Sequence, residues 1–536
     1  MTKKQQIVIT VLSLLVMLLA VLLARRVYFR VDLTANHAYT LQSVSKNLRA
    51  EIPEQVRITY YLSGKLRSLN SAPAEIEDLL REYEAGSRGK IQVAVRDPSG
   101  SGAAERYSLY PQQLQNVADD EASFSMVYSG IVIEYLNKAE ILPWVFSLDT
   151  LEYDVTSRIR SLLSGKKREL GVIAPESQKT WNEYYGFFNQ LLGQSGFSVL
   201  ALAPGEEIPD TLPVLLVCGG AEELDETALY RIDRYVQLGG RVLFMAESVK
   251  VALDGSWEAR LVEDKGLLGM ISYYGATLEQ GLVLDKAALP MPFQDPLTRQ
   301  TGMIRYAPWV GVMEENANAG HVLTSGFAGA DLYWASPLRF TGESSAVKAE
   351  ALFSSTPQAW LMTRNFNVSP DMNSLFTAQE EETRGQYVIA SALEGRFPRW
   401  FDNEKPAPSG GEWEDDVWRE AELPDMPRET AETRIIVIGD SDFGGALVQY
   451  TQTRPLNFDF LLQAIDWLGN DDDIAGIRNR YTGSGRLDAI QDEGARARAM
   501  NFSRILNLFI VPALILVFGV SRALHRSNKR KTRKDA

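Results

Sequence analysis

The segment with the clearest chemical potential is Gly439-Asp440-Ser441-Asp442-Phe443. As a hydrolase nucleophile Ser441 would require a general base, yet the chain has only three histidines and none lies near this segment in sequence. Asp440 and Asp442 could offer oxygen ligands to a hard cation, although two carboxylates alone make a weak site. A third interpretation is a turn at a strand end, where aspartate and serine side chains bond nearby backbone amides. We favour the turn and keep a metal site and a ligand contact as alternatives.

The other sequence patterns that could indicate reactive or ligand-binding residues are weakly specific. Cys218 ends an all-apolar run, and a buried cysteine behaves as a small hydrophobe, so we assign it to core packing. No G-x-x-x-x-G-K-[ST] motif occurs; the string 164–167 lacks the upstream glycine and the hydroxyl, so the chain is not a P-loop ATPase. The pairs Gly219-Gly220 and Gly239-Gly240 could cradle an anion at a helix N-terminus, but such pairs more often mark tight turns. We therefore assign no catalytic residue, cofactor or metal ligand.

Composition narrows the class of protein. The chain has 536 residues, 45% of them hydrophobic, which excludes a disordered or fibrous protein and allows several buried cores. A single cysteine excludes a disulfide framework. The three histidines, His37, His321 and His525, leave little room for a histidine-built metal centre, and we place His37 and His321 on the surface. The net charge of −14 argues against a nucleic-acid partner, because binding to the phosphate backbone needs clustered cations.

Both ends of the chain are typical of membrane anchors. Residues 7–24 contain no charge and match a bilayer in length; a cleaved signal peptide is the competing interpretation, but the run continues into two arginines. Residues 505–521 are apolar apart from Asn507 and contain a proline that a membrane helix tolerates, with a buried C-terminal helix as the alternative. Residues 522–536 hold seven cations against one aspartate, so the positive-inside rule keeps them in the cytoplasm. We expect a two-pass protein of the cytoplasmic membrane, with both termini inside and an acidic extracytoplasmic middle.

The middle of the chain predicts an α/β fold with two or three extracytoplasmic domains. Strands and helices alternate, and several strands are apolar on both faces, which indicates a parallel sheet covered on both sides. The first domain contains a thioredoxin-like βαβ module, and the second, which opens with a helix from Tyr153 to Leu163, contains an amidotransferase- or flavodoxin-like sheet. The predicted boundaries are 1–25 (anchor), 26–150 (first domain), 151–480 (second domain, with an irregular insertion at about 286–434), 481–504 (juxtamembrane helix), 505–521 (membrane helix) and 522–536 (tail).

Short motifs in a fixed order resemble the Gld-type auxiliary proteins of ABC transporters, a family first linked with bacterial gliding motility. The likeness extends over nearly the whole chain and agrees with the two predicted anchors. The positions that carry it include Arg30, Asp32, Leu33 and Thr34 near the first anchor, Asp154, Gly239 and Gly240 in the middle, and Gly439, Asp440, Asp442, Phe443, Asn457 and Trp467 near the end.

The resemblance implies a non-catalytic extracytoplasmic subunit that works with a separate ATPase and a polytopic permease. It also implies that the middle module is related to a domain of intraflagellar transport proteins and has an amidotransferase-type fold. In that fold the nucleophile follows the strand 241–245, where this chain has Ala246 and Glu247, with no serine or cysteine before Ser248. The chemistry of the enzyme is therefore not carried over.

Three functions remain to be distinguished. We favour a structural and coupling subunit of an ABC-type complex. The alternative is an extracytoplasmic protein that binds a polysaccharide or peptide, which the ten tryptophans permit and aromatic side chains exposed in a cleft would support. The third is a degenerate or metal-dependent hydrolase that uses Asp440 and Asp442.

Overall fold

The computed structural model describes residues 41–469 apart from short gaps, which are 70, 101, 119–120, 147, 149, 166–167, 295–298, 300, 326, 341–345, 402–404, 407–410, 415–416, 421–422 and 452–455. The predicted anchors, juxtamembrane helix and tail lie outside these residues, as do Arg30, Asp32, Leu33 and Thr34. No helix among the described residues has the length and apolar character needed to cross a bilayer.

The N-terminal part of the fold is a four-stranded sheet in the order β2-β1-β5-β6. Strands β1 and β2 are parallel, whereas β5 runs antiparallel to β1 and forms a hairpin with β6. The elements are α1 (Ser43–Glu51), β1 (Val56–Leu62), α2 (Gly64–Leu69), α3 (Ala72–Ala85), β2 (Ile91–Arg96), α4 (Ala103–Arg106), β3 (Gln112–Ala118), β4 (Glu121–Val127), β5 (Ser129–Tyr135), β6 (Lys138–Leu142) and α5 (Leu151–Ser164). The predicted strand–helix–strand unit is present, and α3 buries the apolar face that its i, i+3, i+4, i+7 spacing predicts.

Helix α5 packs in this N-terminal core. Leu151, Val155 and Ile159 are buried in the same apolar cluster as the residues of β1 and α3. The hydroxyl of Tyr83 on α3 donates to the backbone carbonyl of Glu152 at 2.9 Å. The helix itself is as predicted, and its apolar face packs in the core of the N-terminal sheet, which periodicity could not indicate because it shows that a face is buried and not which core buries it.

The second part of the fold is built on a nine-stranded mixed sheet. Its elements up to residue 284 are β7 (Arg168–Ile173), α6 (Gly186–Gln194), β8 (Phe197–Ala201), β9 (Val214–Cys218), α7 (Glu226–Gln237), β10 (Arg241–Met245), β11 (Val249–Val251), β12 (Ala259–Leu261), α8 (Leu267–Tyr274), β13 (Ala276–Leu278) and β14 (Leu282–Leu284). From residue 288 onward they are β15 (Ala288–Gln294), β16 (Thr301–Val312), β17 (Ala330–Tyr333), β18 (Leu338–Phe340), β19 (Val347–Ser354), β20 (Trp360–Met362), α9 (Glu380–Thr383), β21 (Val388–Gly395), β22 (Gly411–Glu414), β23 (Val417–Glu420), β24 (Thr433–Ile438), α10 (Val448–Thr451) and α11 (Leu456–Leu468). Two 3-10 helices, Glu314–Asn316 and Pro370–Gln379, lie between them.

The centre of this sheet is parallel, in the order β8-β7-β9-β10-β24. An apolar core covers each face of this sheet, and strand β9, which is buried along its whole length, contributes to both. Leu216 and Cys218 pack on one face, and Leu215 and Val217 pack on the other. The α/β class predicted from the apolar strands is confirmed.

Between residues 286 and 434, where we expected an irregular insertion, the described residues form strands β15 to β23 and helix α9. Strand β21 extends the sheet antiparallel to β24, and β18 and β19 in turn pair antiparallel with β21. Strands β15, β16 and β17 form a sheet of their own. Strand β15 was not predicted from the sequence because it contains Pro290 and Pro292, and proline is a poor strand former. They are accommodated because β15 is an edge strand that pairs only with β16.

Candidate functional site

A buried polar cluster lies at the carboxyl edge of the parallel strands. Its members follow β7 (Glu176 and Lys179), β10 (Glu247) and β24 (Asp440 to Asp442). The carboxyl ends of parallel strands meet at one edge of a sheet, and ligands of open α/β sheets bind at that edge. We therefore take this edge as the candidate functional site.

Lys179 is the centre of the cluster. Its side chain is 2% exposed, and its Nζ lies 3.0 Å from Glu247 Oε2 and 3.2 Å from Asp442 Oδ1. The same ammonium donates to Ser441 Oγ at 2.6 Å, and the Ser441 hydroxyl donates to the Glu247 carboxylate. One buried cation thus joins the ends of three strands that are distant in sequence.

The charge on Lys179 decides what Ser441 can do. Burial lowers the pKa of the lysine, but the carboxylates of Asp442, Glu247 and Glu176 outweigh it and raise that pKa above its usual value. A lysine activates a serine only when its amine is neutral. With Lys179 held as an ammonium, the lysine donates to Ser441 and cannot accept its proton.

The aspartates of this segment are bonded within the protein. Asp440 Oδ1 accepts from the backbone amide of Asp442 at 2.7 Å, and Asp440 Oδ2 accepts from the amide of Tyr333 at 2.7 Å. The hydroxyl of Tyr184 donates to Asp442 Oδ1 at 2.5 Å. Burial, followed by the charge of Asp442, raises the pKa of Asp440 well above its usual value. These are the side-chain-to-amide bonds that a strand-end turn predicts.

The glycine pair after β9 holds a carboxylate that belongs to the protein. Gly219 and Gly220 both have positive φ, at 68° and 97°, and the amide of Gly220 donates to Glu176 Oε1 at 3.2 Å. A Cβ at Gly219 would lie 2.1 Å from that oxygen and would displace the Glu176 carboxylate, and the positive φ of Gly219 also favours glycine. The pair Gly239-Gly240 ends α7 at the opposite edge of the sheet, before β10.

A cleft of about 530 Å³ opens beside this cluster. Its walls include Glu176, Glu223, Lys250 and Arg260. Lys250 Nζ lies 3.1 Å from Glu176 Oε2, 3.4 Å from Glu222 Oε2 and 3.0 Å from Glu223 Oε1, so one lysine faces three carboxylates. A cleft with charges of both signs, at the ligand-binding edge of the sheet, has the chemistry to hold a polar ligand.

The structure brings only some of the residues that carry the family resemblance close to the polar cluster. Asn457 Nδ2 donates to the carbonyl of Phe443 at 2.8 Å and to the carbonyl of Asp331 at 2.7 Å, which ties the segment 439–443 to β17. Asp154 lies on α5 in the N-terminal core. Trp467 lies at the end of α11, where the guanidinium of Arg434 is 4.6 Å from its ring centroid. These two residues do not contribute to the cleft.

The predicted surface position of His321 is wrong, because its side chain is buried. Its ring lies near Glu350 and Glu394, and the ligand atoms of the three side chains are within 4.8 Å of one another. However, the amide of Leu323 donates to Nδ1 at 3.2 Å, which places the imidazole proton on Nε2 and takes away the lone pair a metal would need. Glu394 is also paired with Arg434 at 3.1 Å. The arrangement therefore fits a hydrogen-bonded ion-pair cluster better than a metal centre.

The other candidate nucleophiles are committed to packing or hydrogen bonds. Cys218 is fully buried, and burial raises the pKa of its thiol, which disfavours the reactive thiolate. Ser248 is also buried and donates to the carbonyl of Glu279 at 2.8 Å.

Sequence analysis missed Lys179, Tyr184 and the pairing role of Glu247. The available signal was positional: charged residues follow β7, β10 and β24 within a few positions, and parallel strands bring such residues to one edge.

We expect Glu247→Gln to weaken the pH dependence of stability between about pH 5 and pH 8. Burial raises the pKa of Glu247 from 4.5 to about 7, although Lys179 opposes the shift. The folded chain therefore holds this proton more tightly than the unfolded chain. The stability it confers is complete below about pH 4.5 and is lost as the pH rises through about 7, an effect of about 1–3 kcal/mol.

Urea unfolding of the full-length chain at several pH values measures this difference. Glu382→Gln alters an exposed glutamate that is paired with Arg364, and that variant is expected to follow the wild-type curve. Parallel pH curves for wild type and Glu247→Gln would contradict the prediction.

Two family models match the chain. A model described as "ABC-type uncharacterized transport system" matches residues 167–473, and a domain of unknown function, DUF7088, matches residues 35–134. An uncharacterized protein of Borreliella burgdorferi is 23% identical over 503 residues, which cover 92% of this chain and 93% of that protein.

Two solved structures have low similarity to this chain. The mmIFT52 N-terminal domain has a TM-score of 0.32 and 10% identity, with 56% of this chain and 97% of that chain covered. The exo-β-1,4-mannosidase Op5Man5 from Opitutaceae bacterium strain TAV5 has a TM-score of 0.23 and 9% identity, with 76% of this chain and 49% of that chain covered.

Proposed function

The chain belongs to the ABC-type uncharacterized transport system family, and from that premise we propose that it is a non-catalytic auxiliary subunit of a transporter complex. The observation that carries the proposal is the extent of the match, which runs from β7 to beyond α11 and so includes the whole mixed sheet and its polar edge. The family is a transport auxiliary family and not a known enzyme family.

The residues at the sheet edge support a non-catalytic role. The raised pKa of Lys179 keeps it an ammonium that cannot take the Ser441 proton, and Cys218 is buried as a thiol. The sequence also lacks a P-loop, so ATP hydrolysis requires a separate subunit. The partners in this proposal are therefore an ATPase and a polytopic permease.

The membrane arrangement is part of the proposal. The apolar segments 7–24 and 505–521 would anchor the chain in the cytoplasmic membrane, and the cations of 522–536 would hold its C-terminus inside. Two extracytoplasmic domains, a thioredoxin-like module and an amidotransferase-like sheet, would then lie against the permease. A link to gliding motility rests on the resemblance alone.

Co-purification tests the association. The tagged full-length chain is solubilised in mild detergent, and the proteins that accompany it are identified. We expect an ATPase and a multispanning permease in fixed ratio. If the chain is purified alone, even after crosslinking in cells, the proposed association is wrong.

Labelling of a single introduced cysteine tests the orientation. Tyr110 is 66% exposed, whereas the native Cys218 is fully buried and gives little background. In Tyr110→Cys we expect a membrane-impermeant maleimide to react with intact spheroplasts. Reaction only after lysis would place this domain in the cytoplasm and overturn the orientation.

Binding of an extracytoplasmic ligand is the second candidate function. It is favoured by the cleft of about 530 Å³ at the carboxyl edge of the sheet, with Lys250 and Arg260 among its walls. A polysaccharide or peptide carries the polar groups that such walls would recognise. Saturable binding by the purified chain would support this role independently of any transporter subunit.

A further inference from the structure

The cleft of about 530 Å³ lies at the carboxyl edge of the sheet, where two connections diverge. Strand β7 lies between β8 and β9, and the helices that follow β7 and β9, α6 and α7, cover opposite faces of the sheet. Ligands of open α/β sheets bind in the crevice at such a point. Residues that follow β7 (Ser177 and Gln178) and β9 (Glu223) line the cleft, so its place in the fold favours a ligand.

The cleft presents side chains that a ligand can reach. Ser177, Gln178 and Glu258 are exposed, and Phe366 is half-buried. The side chain of Arg260 is 55% exposed. Hydroxyl, amide, charged and aromatic groups are therefore all available to a bound molecule.

Both cations of the cleft are already paired with glutamates. The two terminal nitrogens of Arg260 donate to the two carboxylate oxygens of Glu222, at 2.5 Å and 2.9 Å. The hydrogen bond from Arg260 lowers the pKa of Glu222 to about 2, so this glutamate stays ionised. Lys250 Nζ lies within 3.4 Å of an oxygen on each of three carboxylates, those of Glu176, Glu222 and Glu223. An anionic ligand would have to displace these glutamates, which disfavours it.

Glu258 gives the cleft a carboxylate without a cation. Its side chain is exposed, and among the described residues no lysine or arginine forms an ion pair with it. The backbone of Glu258 pairs with that of Asn367, which places Phe366 near it. An exposed carboxylate near an aromatic ring suits a cation on an aliphatic chain, because the charge meets the carboxylate and the methylene groups pack on the ring.

Carboxylates outnumber cations at the cleft and its rim. Among the described residues, Glu176, Glu222, Glu223 and Glu258 stand against Lys250 and Arg260. This excess of negative charge attracts a cationic ligand. A metal ion is disfavoured, because the ammonium of Lys250 already lies among three of the carboxylates.

The size and the neutral groups of the cleft favour a peptide over other cations. Its volume is in the range of about 300–1,000 Å³ that drug-sized ligands occupy, so a single small amine would leave much of it unfilled. A neutral saccharide gains nothing from the excess charge. A peptide with a lysine supplies an ammonium for Glu258, methylene groups for Phe366, and amides that the exposed Ser177 and Gln178 can bond.

We infer that this cleft binds a peptide through the ammonium of a lysine side chain, which faces Glu258 while Ser177 and Gln178 bond the peptide backbone. This role deepens the ligand-binding candidate and rests on it. The purified chain alone is sufficient for the test, so a negative result leaves the association with an ATPase and a permease untouched.

Three blocked tripeptides separate charge from shape. The full-length chain in detergent is titrated by calorimetry with peptides that hold lysine, norleucine or glutamate between two alanines. Norleucine keeps the methylene groups of lysine and lacks its ammonium. We expect saturable binding of the lysine peptide and at least about fivefold weaker binding of the other two. Equal or tighter binding of the norleucine or the glutamate peptide would overturn the inference.

Maltotriose and spermidine separate this inference from the ligand-binding candidate as a whole. Saturable binding of maltotriose without binding of the lysine peptide would leave the cleft a ligand site and show that the peptide assignment is wrong. Binding of spermidine alone would replace the peptide by a free amine. Saturation by none of the five probes would contradict both the inference and ligand binding in this cleft.

Glu258→Gln locates the binding, because it removes the unpaired charge from an exposed side chain and keeps its shape. We expect affinity for the lysine peptide to fall about three- to fivefold. Glu54→Gln, at an exposed glutamate before β1 in the N-terminal sheet, is the control and should leave affinity unchanged. If Glu258→Gln binds the lysine peptide like wild type, the ammonium does not lie at Glu258.

Arg260→Gln distinguishes a cationic ligand from an anionic one. The substitution frees Glu222 from its exposed partner and makes the cleft more acidic. We expect affinity for the lysine peptide to rise about two- to threefold. A loss of affinity would mean that Arg260 contacts the ligand directly, which contradicts the assigned charge of the ligand.

Discussion

Replacement of Lys179 by methionine is expected to lower the free energy of unfolding by about 3–5 kcal/mol at about pH 8, because it leaves buried charges without a partner. The ammonium lies between Glu247 and Asp442, within 3.2 Å of both, and Glu247 is 8% exposed while Asp442 is 4% exposed. Without the cation the two carboxylates would repel each other away from water. A whole domain is stable by only about 5–15 kcal/mol, so a loss of this size is severe.

Burial separates this pair from ordinary ion pairs, and a matched substitution measures the difference. Arg364 and Glu382 are 57% and 59% exposed, and Arg364→Met is expected to cost less than about 1 kcal/mol. Both variants are compared by urea unfolding of the full-length chain. Similar costs for the two substitutions would mean that Lys179 does not balance the buried carboxylates.

The pH dependence of the Lys179→Met variant distinguishes charge from lost packing. Removal of the lysine raises the pKa of Glu247 further above about 7, so at about pH 8 Glu247 can become neutral in the variant, and the cost should shrink as the pH falls from about 8 to about 7. Lys179→Met with Glu247→Gln should likewise be less destabilised at about pH 8 than Lys179→Met alone. A cost independent of pH would assign the effect to the side chain's volume.

The mixed sheet was predictable where its strands are apolar and alternate with helices along the sequence. Strand β9, with five consecutive buried residues, and the alternating helices α6 and α7 indicated a covered parallel sheet. Strands β15 to β21 were not predictable in the same way. They pair antiparallel or form edges, and β15 contains two prolines that only its edge position accommodates.

Of the segments that form the site, the sequence analysis predicted only one. The segment 439–443 was singled out by its aspartates, but Lys179 precedes Ser441 by 262 positions, and no local pattern links them. Helix α5 shows the same limit at the level of domains, since its apolar stripe was clear but its partner core was not. Sequence periodicity reports burial, whereas the choice of partner depends on topology.

Gly439→Ala is expected to destabilise the second domain by about 3 kcal/mol or more, because the added methyl group meets rigid backbone. A Cβ at Gly439 would lie 2.1 Å from the carbonyl oxygen of Ser336. That carbonyl cannot easily move, since the amide of Ser336 donates to the carbonyl of Gly439 at 2.6 Å and the amide of Gly439 donates to Ile389 at 2.8 Å. Relief of the clash must therefore shift the end of β24, which carries Asp440 to Asp442.

The control is Gly193→Ala, which adds the same methyl group where it meets no other atom. The local effect of Gly439→Ala is measured at the single cysteine, Cys218. No atom lies within 4 Å of a Cβ placed at Gly193 on α6, so Gly193→Ala should be neutral or stabilising by up to about 1 kcal/mol. Cys218 is fully buried in the same apolar core as Ile438. In Gly439→Ala we expect its thiol to react faster with a disulfide reagent under native conditions, because a displaced β24 loosens that core. Unchanged stability together with an unreactive Cys218 would show that the Ser336 backbone yields to the methyl group, and that the close approach at Gly439 does not hold the site in place.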